Sequence, residues 1–261
     1  MTPLARQMTV AAVLVTVLAA LGSSPAQAAD SSRVPKSTSF SRLFPRPAAS
    51  LLAPGTTVDA RVSRQVIVAD YVGGTRGSHW GYLRRYEWRG ALRGWVQVGR
   101  PGTTVRFGKN GLQDGRTRVM GSGTTPVGVY RLPFAFGVGA PQGTRYPYQV
   151  VTPCSWWMGL EGLATGEFNR WKESCGASYP ESEHLQDYVA TGQYVQAVVI
   201  GHNYDDPRVS SGPGSSSAIF VHYSSPGSYT AGCVGVTDLA ELSDTVAWLD
   251  PSANPVIAIT F

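Results

Sequence analysis

Cys233 follows His222 after one short loop, and that pair is the clearest chemistry in the chain. A thiolate is a strong nucleophile, and an imidazole within hydrogen-bond reach takes the thiol proton, so the two together suffice for acyl transfer through a thioester. The local sequence predicts how they meet. Ala218-Ile219-Phe220-Val221-His222 reads as a strand, Tyr223 to Ser228 as a turn-rich return, and Cys233-Val234-Gly235-Val236 as the next short strand, which sets both residues at neighbouring strand ends.

Cysteine usage agrees with a reactive role. Residues 1–28 read as a secretory signal peptide, with Arg6 at the charged start, an apolar stretch from Val10 to Leu21 and the small-residue pattern Ala26-Gln27-Ala28. No second apolar stretch of spanning length follows, so the mature chain is expected to be secreted or associated with the cell wall, without a stable membrane span. There are three cysteines, and in an oxidising compartment two are expected to pair. Cys154 and Cys175, which bracket a tryptophan-rich segment, are the expected disulfide, and Cys233 is left as a free thiol.

These residues need a scaffold. Residues 29–60 are rich in Ser, Pro and Ala without sustained periodicity and read as a linker, and residues 61–261 read as one catalytic-size domain. Thirty glycines and eighteen prolines, set among short runs of Val, Thr, Tyr and Trp, predict a mainly β domain with a few short helices. Strand-like runs occupy Gln65 to Ala69, Tyr82 to Trp88, Trp95 to Val98, Thr103 to Phe107, Val127 to Leu132 and Gln193 to Ile200, with turns at Gly73-Gly74, Arg89-Gly90 and Pro101-Gly102. Asp238 and Glu241 resemble a capping box, Leu239, Leu242, Val246 and Leu249 share one helical face, and Val256 to Thr260 is a further strand.

Other functions find little support. The net charge of +5 is moderate, and the arginines between Arg76 and Arg106, interleaved with Trp80, Tyr82, Tyr86, Trp88 and Trp95, read as solvated strand faces rather than a nucleic-acid surface. The glycine-rich stretch from Gly108 to Gly128 could face a substrate but lacks the Lys-Ser/Thr of a phosphate loop. No metal-ligand spacing occurs and no cofactor is expected. The segment from Cys154 to Tyr194 carries Trp156, Trp157, Phe168, Trp171 and Tyr179, suited to cap a cleft or wall it with rings, and Ser182 to Leu185 opens a short helical turn. Thr230, Asn203, His202 and His184 are the further candidates for the cleft.

At these residues the chain resembles the YkuD-type L,D-transpeptidases, exported cysteine enzymes that crosslink peptidoglycan. The likeness rests on Thr125-Pro126-Val127-Gly128 with the preceding glycines, on the strand ending in His222, and on Thr230-Ala231-Gly232-Cys233, and it covers roughly Gln65 to Phe261. It implies a YkuD-like β-sandwich or barrel, Cys233 as nucleophile, His222 as base, the Tyr223 carbonyl as its orienter, and Gly232 with the Cys233 amide at the oxyanion. It also implies peptidoglycan stem peptides as substrate and a carbapenem adduct at the thiol. The family motif carries a second histidine where Ala231 stands and an arginine where Gly235 stands, and the His-to-Cys interval is shorter here, so the resemblance fits a divergent branch. No Lys or Arg follows Arg208, so a cation for a substrate must come from earlier in the chain. Papain-like hydrolases are excluded by the order of His and Cys. A wall peptidase with water as acceptor and a non-catalytic envelope-binding protein are the alternatives.

Overall fold

The computed structural model describes residues 48–205 and 212–261, which belong to one compact unit; the expected signal peptide and most of the expected linker lie outside the described residues. Runs of β-branched and aromatic residues form the first strands, β1 (Gln65–Gly73), β2 (Trp80–Trp88) and β3 (Trp95–Arg106), an antiparallel meander. β4 (Leu112–Asp114), β5 (Thr125–Arg131), β6 (Ala135–Gly137) and β7 (Tyr148–Val150) follow. β8 (Ser155–Trp157), β9 (Trp171–Glu173) and β10 (Glu183–His184) make a separate three-stranded sheet, from which α1 (Leu185–Ala190) leads to β11 (Gln196–Val199). β12 (Phe220–Tyr223), β13 (Val234–Val236), α2 (Leu239–Trp248) and β14 (Val256–Thr260) are the last elements.

All strands but β8, β9 and β10 join one eleven-stranded sheet in the order β4-β5-β14-β1-β2-β3-β13-β12-β11-β6-β7. Residues from β14 (Ile257, Ile259) and from β11 (Val198) share one core cluster with Leu242 and Val246 of α2, although many strands separate them in the sheet. The sheet is therefore folded over its own core, as in a β-sandwich. Alternation does the sorting. Val221 and Val198 enter that core, whereas Phe220, Ala197 and Val199 face the opposite side and pack with Trp157 and Leu185 of the disulfide-bearing insertion. The fold is mainly β with short helices, as the composition predicts, and among the described residues no helix is long and apolar enough to cross a membrane.

Three local expectations differ. Pro101-Gly102 is not a turn: both lie within the continuous β3, where the β2 register slips between Leu83 and Arg85 and the extra residues bulge. Gly99, at φ +70, sits against the Arg85 guanidinium, and an added Cβ would lie 2.1 Å from its Nη2. The folded unit also takes in the end of the expected linker: Ala53, Val58 and Ala60 are buried, and Trp95 Nε1 donates to Leu51 O (3.0 Å), because these apolar groups cover one face of β1. Finally, Glu183 and His184 are strand rather than the opening of the helical turn, which starts at Leu185.

The arginine-rich meander is largely paired. Arg84 meets Asp70, Arg100 meets Asp238, and the buried Arg85 guanidinium lies 2.6 Å from Glu241 on α2. The N-terminal cap of α2 is half of the expected box: Asp238 Oδ1 accepts from the Glu241 N–H (3.1 Å), while the Glu241 side chain turns to Arg85.

Candidate active site

Parallel pairing of β12 with β13, in the register Val221 to Val234 and His222 to Gly235, sets the Cys233 position beside Phe220. His222 and Phe220 are two residues apart and so share a face, the one turned towards the insertion. The neighbour of His222 on β13 is Gly235, which leaves the imidazole unobstructed by a side chain from that strand. Both Cys233 and His222 line a cavity of about 520 Å³.

His222 is fixed by its own strand. Its Nδ1 lies 2.6 Å from the Tyr223 carbonyl oxygen, so Nδ1–H donates there and Nε2 carries the lone pair. Burial pushes the imidazole down to about 4, against a smaller opposing effect of that hydrogen bond, so the ring is neutral at neutral pH.

Cys233 is held as firmly. Its carbonyl oxygen accepts from the Thr230 hydroxyl (2.7 Å) and the Thr125 hydroxyl (3.3 Å), and Thr125 Oγ1 accepts from the Gly108 N–H (2.8 Å). The two threonines of the family-like motifs thus converge on one atom. Sγ donates to Ala218 O (3.3 Å) and accepts from the Phe220 N–H (3.3 Å), so at rest the thiol is not bonded to His222. Burial pushes the thiol up to about 12, the Glu183 charge adds to this, and the Phe220 N–H and Arg118 oppose it.

Gly232 sits at φ +150 where a Cβ would lie 2.7 Å from Arg118 Nη2 and 3.0 Å from Thr124 O, so only glycine lets the guanidinium come this close to the backbone beside Cys233. Its N–H is already engaged by Thr230 Oγ1 (3.2 Å), so it is not a ready oxyanion donor, in contrast to the role the resemblance implies.

Two charged groups in the cavity were not singled out by the sequence. Arg118, 2% exposed, is anchored by Nε to Thr124 O (2.7 Å) and by Nη1 to Ser215 O (3.2 Å), and it has no carboxylate partner among the described residues. It comes from the glycine-rich stretch, earlier in the chain than Arg208, and Lys109, Gly121 and Gly123 of the same stretch line the cavity too. Glu183 arrives from the insertion. Its Oε2 accepts from the Tyr194 hydroxyl (2.6 Å), and burial pushes its carboxyl up to about 7 against that bond. The only sequence signal for either was its place, in a glycine-rich loop and beside a bridged insertion.

The insertion is held as expected: Cys154 and Cys175 form a disulfide with Cα atoms 4.4 Å apart, joining the start of β8 to the end of β9, and Cys233 is free. Its tryptophans are not the cleft walls, however. Trp157 is fully buried among Phe134 and Phe220, and the rings at the cavity are Tyr188, Tyr194 and Tyr229.

Of the four further cleft candidates only Thr230 reaches this cavity. His184 binds Pro153 O (2.9 Å) and Asp187 (3.1 Å) and packs on Trp156, because β10 turns its side chain to the opposite side from Glu183. His202 is clamped between Ser216 Oγ (2.5 Å) and Gly115 O (2.9 Å), and with Asn203 it lines a different cavity of about 850 Å³. That space is the larger, but its walls carry neither cysteine nor serine, so volume does not mark the chemistry. Comparison with protein-family models, curated proteins and solved structures finds no match to this chain.

Proposed function

We propose that the protein is an exported cysteine acyltransferase that crosslinks peptidoglycan stem peptides by L,D-transpeptidation. The observation that carries the reading is the placement of Cys233 and His222 on one sheet face in one cavity, with the imidazole tautomer fixed by Tyr223 O. Sγ leaves Ala218 O and attacks the carbonyl carbon of an L-configured centre while His222 Nε2 takes its proton. The tetrahedral adduct collapses, the C–N bond breaks, and the imidazolium returns the proton to the departing D-residue amine. An amine of a second stem then attacks the thioester, the C–S bond breaks, and Sγ regains a proton through His222.

Thiol and imidazole are both neutral at rest, with the thiol pushed up to about 12 and the ring down to about 4, so proton transfer accompanies attack rather than preceding it. The Arg118 guanidinium, packed against Gly232, places positive charge beside the developing oxyanion. One observation favours a second reading, a non-catalytic envelope-binding protein: Sγ is enclosed and hydrogen-bonded away from the base.

Incubating the protein with a defined tetrapeptide muropeptide and weighing both protein and products separates these. A thioester on Cys233 and a crosslinked dimer support the transferase. A trimmed monomer alone identifies a peptidase, and a thiol that never acylates identifies the binder.

A further inference from the structure

Glu183 is misplaced for activating a thiol. A carboxylate near Sγ repels the thiolate, and its charge is one of the influences that hold Cys233 high. It nevertheless lines the same cavity as Cys233 and His222, held there on β10 by the disulfide-bridged sheet. It forms no ion pair with Lys, Arg or His among the described residues, and its hydrogen bond is to the Tyr194 hydroxyl. The Tyr194 ring packs against His222 with centroids 5.5 Å apart and stacks on Tyr188 at 4.8 Å. A carboxylate without a cation, beside two tyrosine rings, is a receptor for an ammonium group.

We propose that Glu183 is a second catalytic group of this cavity, one that binds the ammonium of the incoming primary amine and takes its proton before the amine attacks the thioester. The inference rests on the acyl-transfer reading above and adds the group that receives its amine acceptor and removes its proton. The ammonium gives one proton to the Glu183 carboxylate, which later releases it to water. The neutral nitrogen attacks the thioester carbonyl, the C–N bond forms as the C–S bond breaks, and a second nitrogen proton passes through His222 to Sγ, leaving an amide and the free thiol. Burial, which pushes Glu183 up to about 7, suits it to accept that proton near neutral pH. The other ionisable groups on the cavity wall are Lys109, Arg118, Tyr188, Tyr194, His222, Tyr229 and Cys233.

Glu183→Gln tests this, because the amide still accepts the Tyr194 hydrogen bond but takes no proton. The acyl-enzyme is formed with a tetrapeptide muropeptide and then offered either Nα-acetyl-lysine, whose side chain is an ammonium at neutral pH, or hydroxylamine, which is uncharged there. E183Q is expected to acylate at least as fast as wild type, because the charge that holds the Cys233 thiol high is gone, and to lose about a hundredfold in reaction with acetyl-lysine relative to its reaction with hydroxylamine. Raising the pH should restore the acetyl-lysine reaction as the amine deprotonates in solution. Glu183→Asp, which keeps a carboxylate, should retain the preference for acetyl-lysine and decides the matter if E183Q does not fold. Equal effects on both acceptors, or no effect on either, overturn the role of Glu183 while leaving the thioester chemistry standing. A wild-type protein that never forms the thioester overturns the acyl-transfer reading and this inference with it.

Discussion

His222 Nδ1 lies 2.6 Å from the carbonyl oxygen of Tyr223, the next residue in the chain, so the orienter of the imidazole is built into the strand that carries it. No carboxylate is needed to fix the tautomer, and Nε2 is left for the cavity. Cys233→Ala should therefore abolish turnover with the fold intact, and His222→Ala should lose a similar order, at least about 10³-fold, because the two act as one unit. Product mass spectrometry with circular dichroism as the fold control checks this; turnover by the Cys233 variant would refute the assignment.

Thiol reactivity should betray the neutral resting pair. With Cys233 pushed up to about 12 by burial, iodoacetamide alkylation of the native protein should quicken about tenfold for each pH unit above neutral instead of reaching a plateau. The unfolded chain, with a thiol near the ordinary 9.0, should level off first. A plateau already reached at pH 7 in the native protein would mean a preformed thiolate.

Arg118→Met should slow acylation by about 10²-fold through kcat with little change in KM, because a charge that meets the oxyanion acts only in the transition state. A rise in KM with kcat unchanged would show instead that the guanidinium grips the bound substrate.

The Cys154–Cys175 bridge closes a loop over 21 residues of sequence separation, and its removal should cost about 3 kcal/mol on the chain-entropy model. Denaturant titration of the Cys154→Ala/Cys175→Ala protein measures the loss, and non-reducing peptide mapping should find Cys233 alone unbridged. Because β10 belongs to that small sheet, the same variant should also loosen Glu183.

Two buried groups give stability opposite pH slopes. His222 titrates at about 4 when folded against an ordinary 6.5, so its contribution is complete above 6.5 and is lost as pH falls towards 4, by about 3 kcal/mol in all. Glu183, raised from 4.5 to about 7, works the other way: its folded form gains protons first, so acidification through that window stabilises. Urea unfolding of wild type should be nearly flat between pH 7 and 4.5, whereas Glu183→Gln should expose the His222 slope. Parallel curves for the two proteins would remove one of these shifts.

What the sequence determined by itself is what local rules control. Strand alternation places His222 and Phe220 on one face, the capping pattern starts α2 at Asp238, and an odd cysteine count in a chain with an export-like start singles out Cys233 and pairs the other two. Pro101-Gly102 marks the edge of that reach, since the turn those residues favour yields to the β2–β3 ladder as a bulge. Tertiary structure alone decided who joins the thiol. Arg118 and Glu183 are single charged residues in a loop and a two-residue strand, with no periodicity to announce them, and sheet order and the bridged insertion bring them to Cys233. The same folding sends His202 and Asn203 to another cavity and turns His184 outward, because a side-chain period of two fixes which face a residue takes but not which strand or loop lies opposite it.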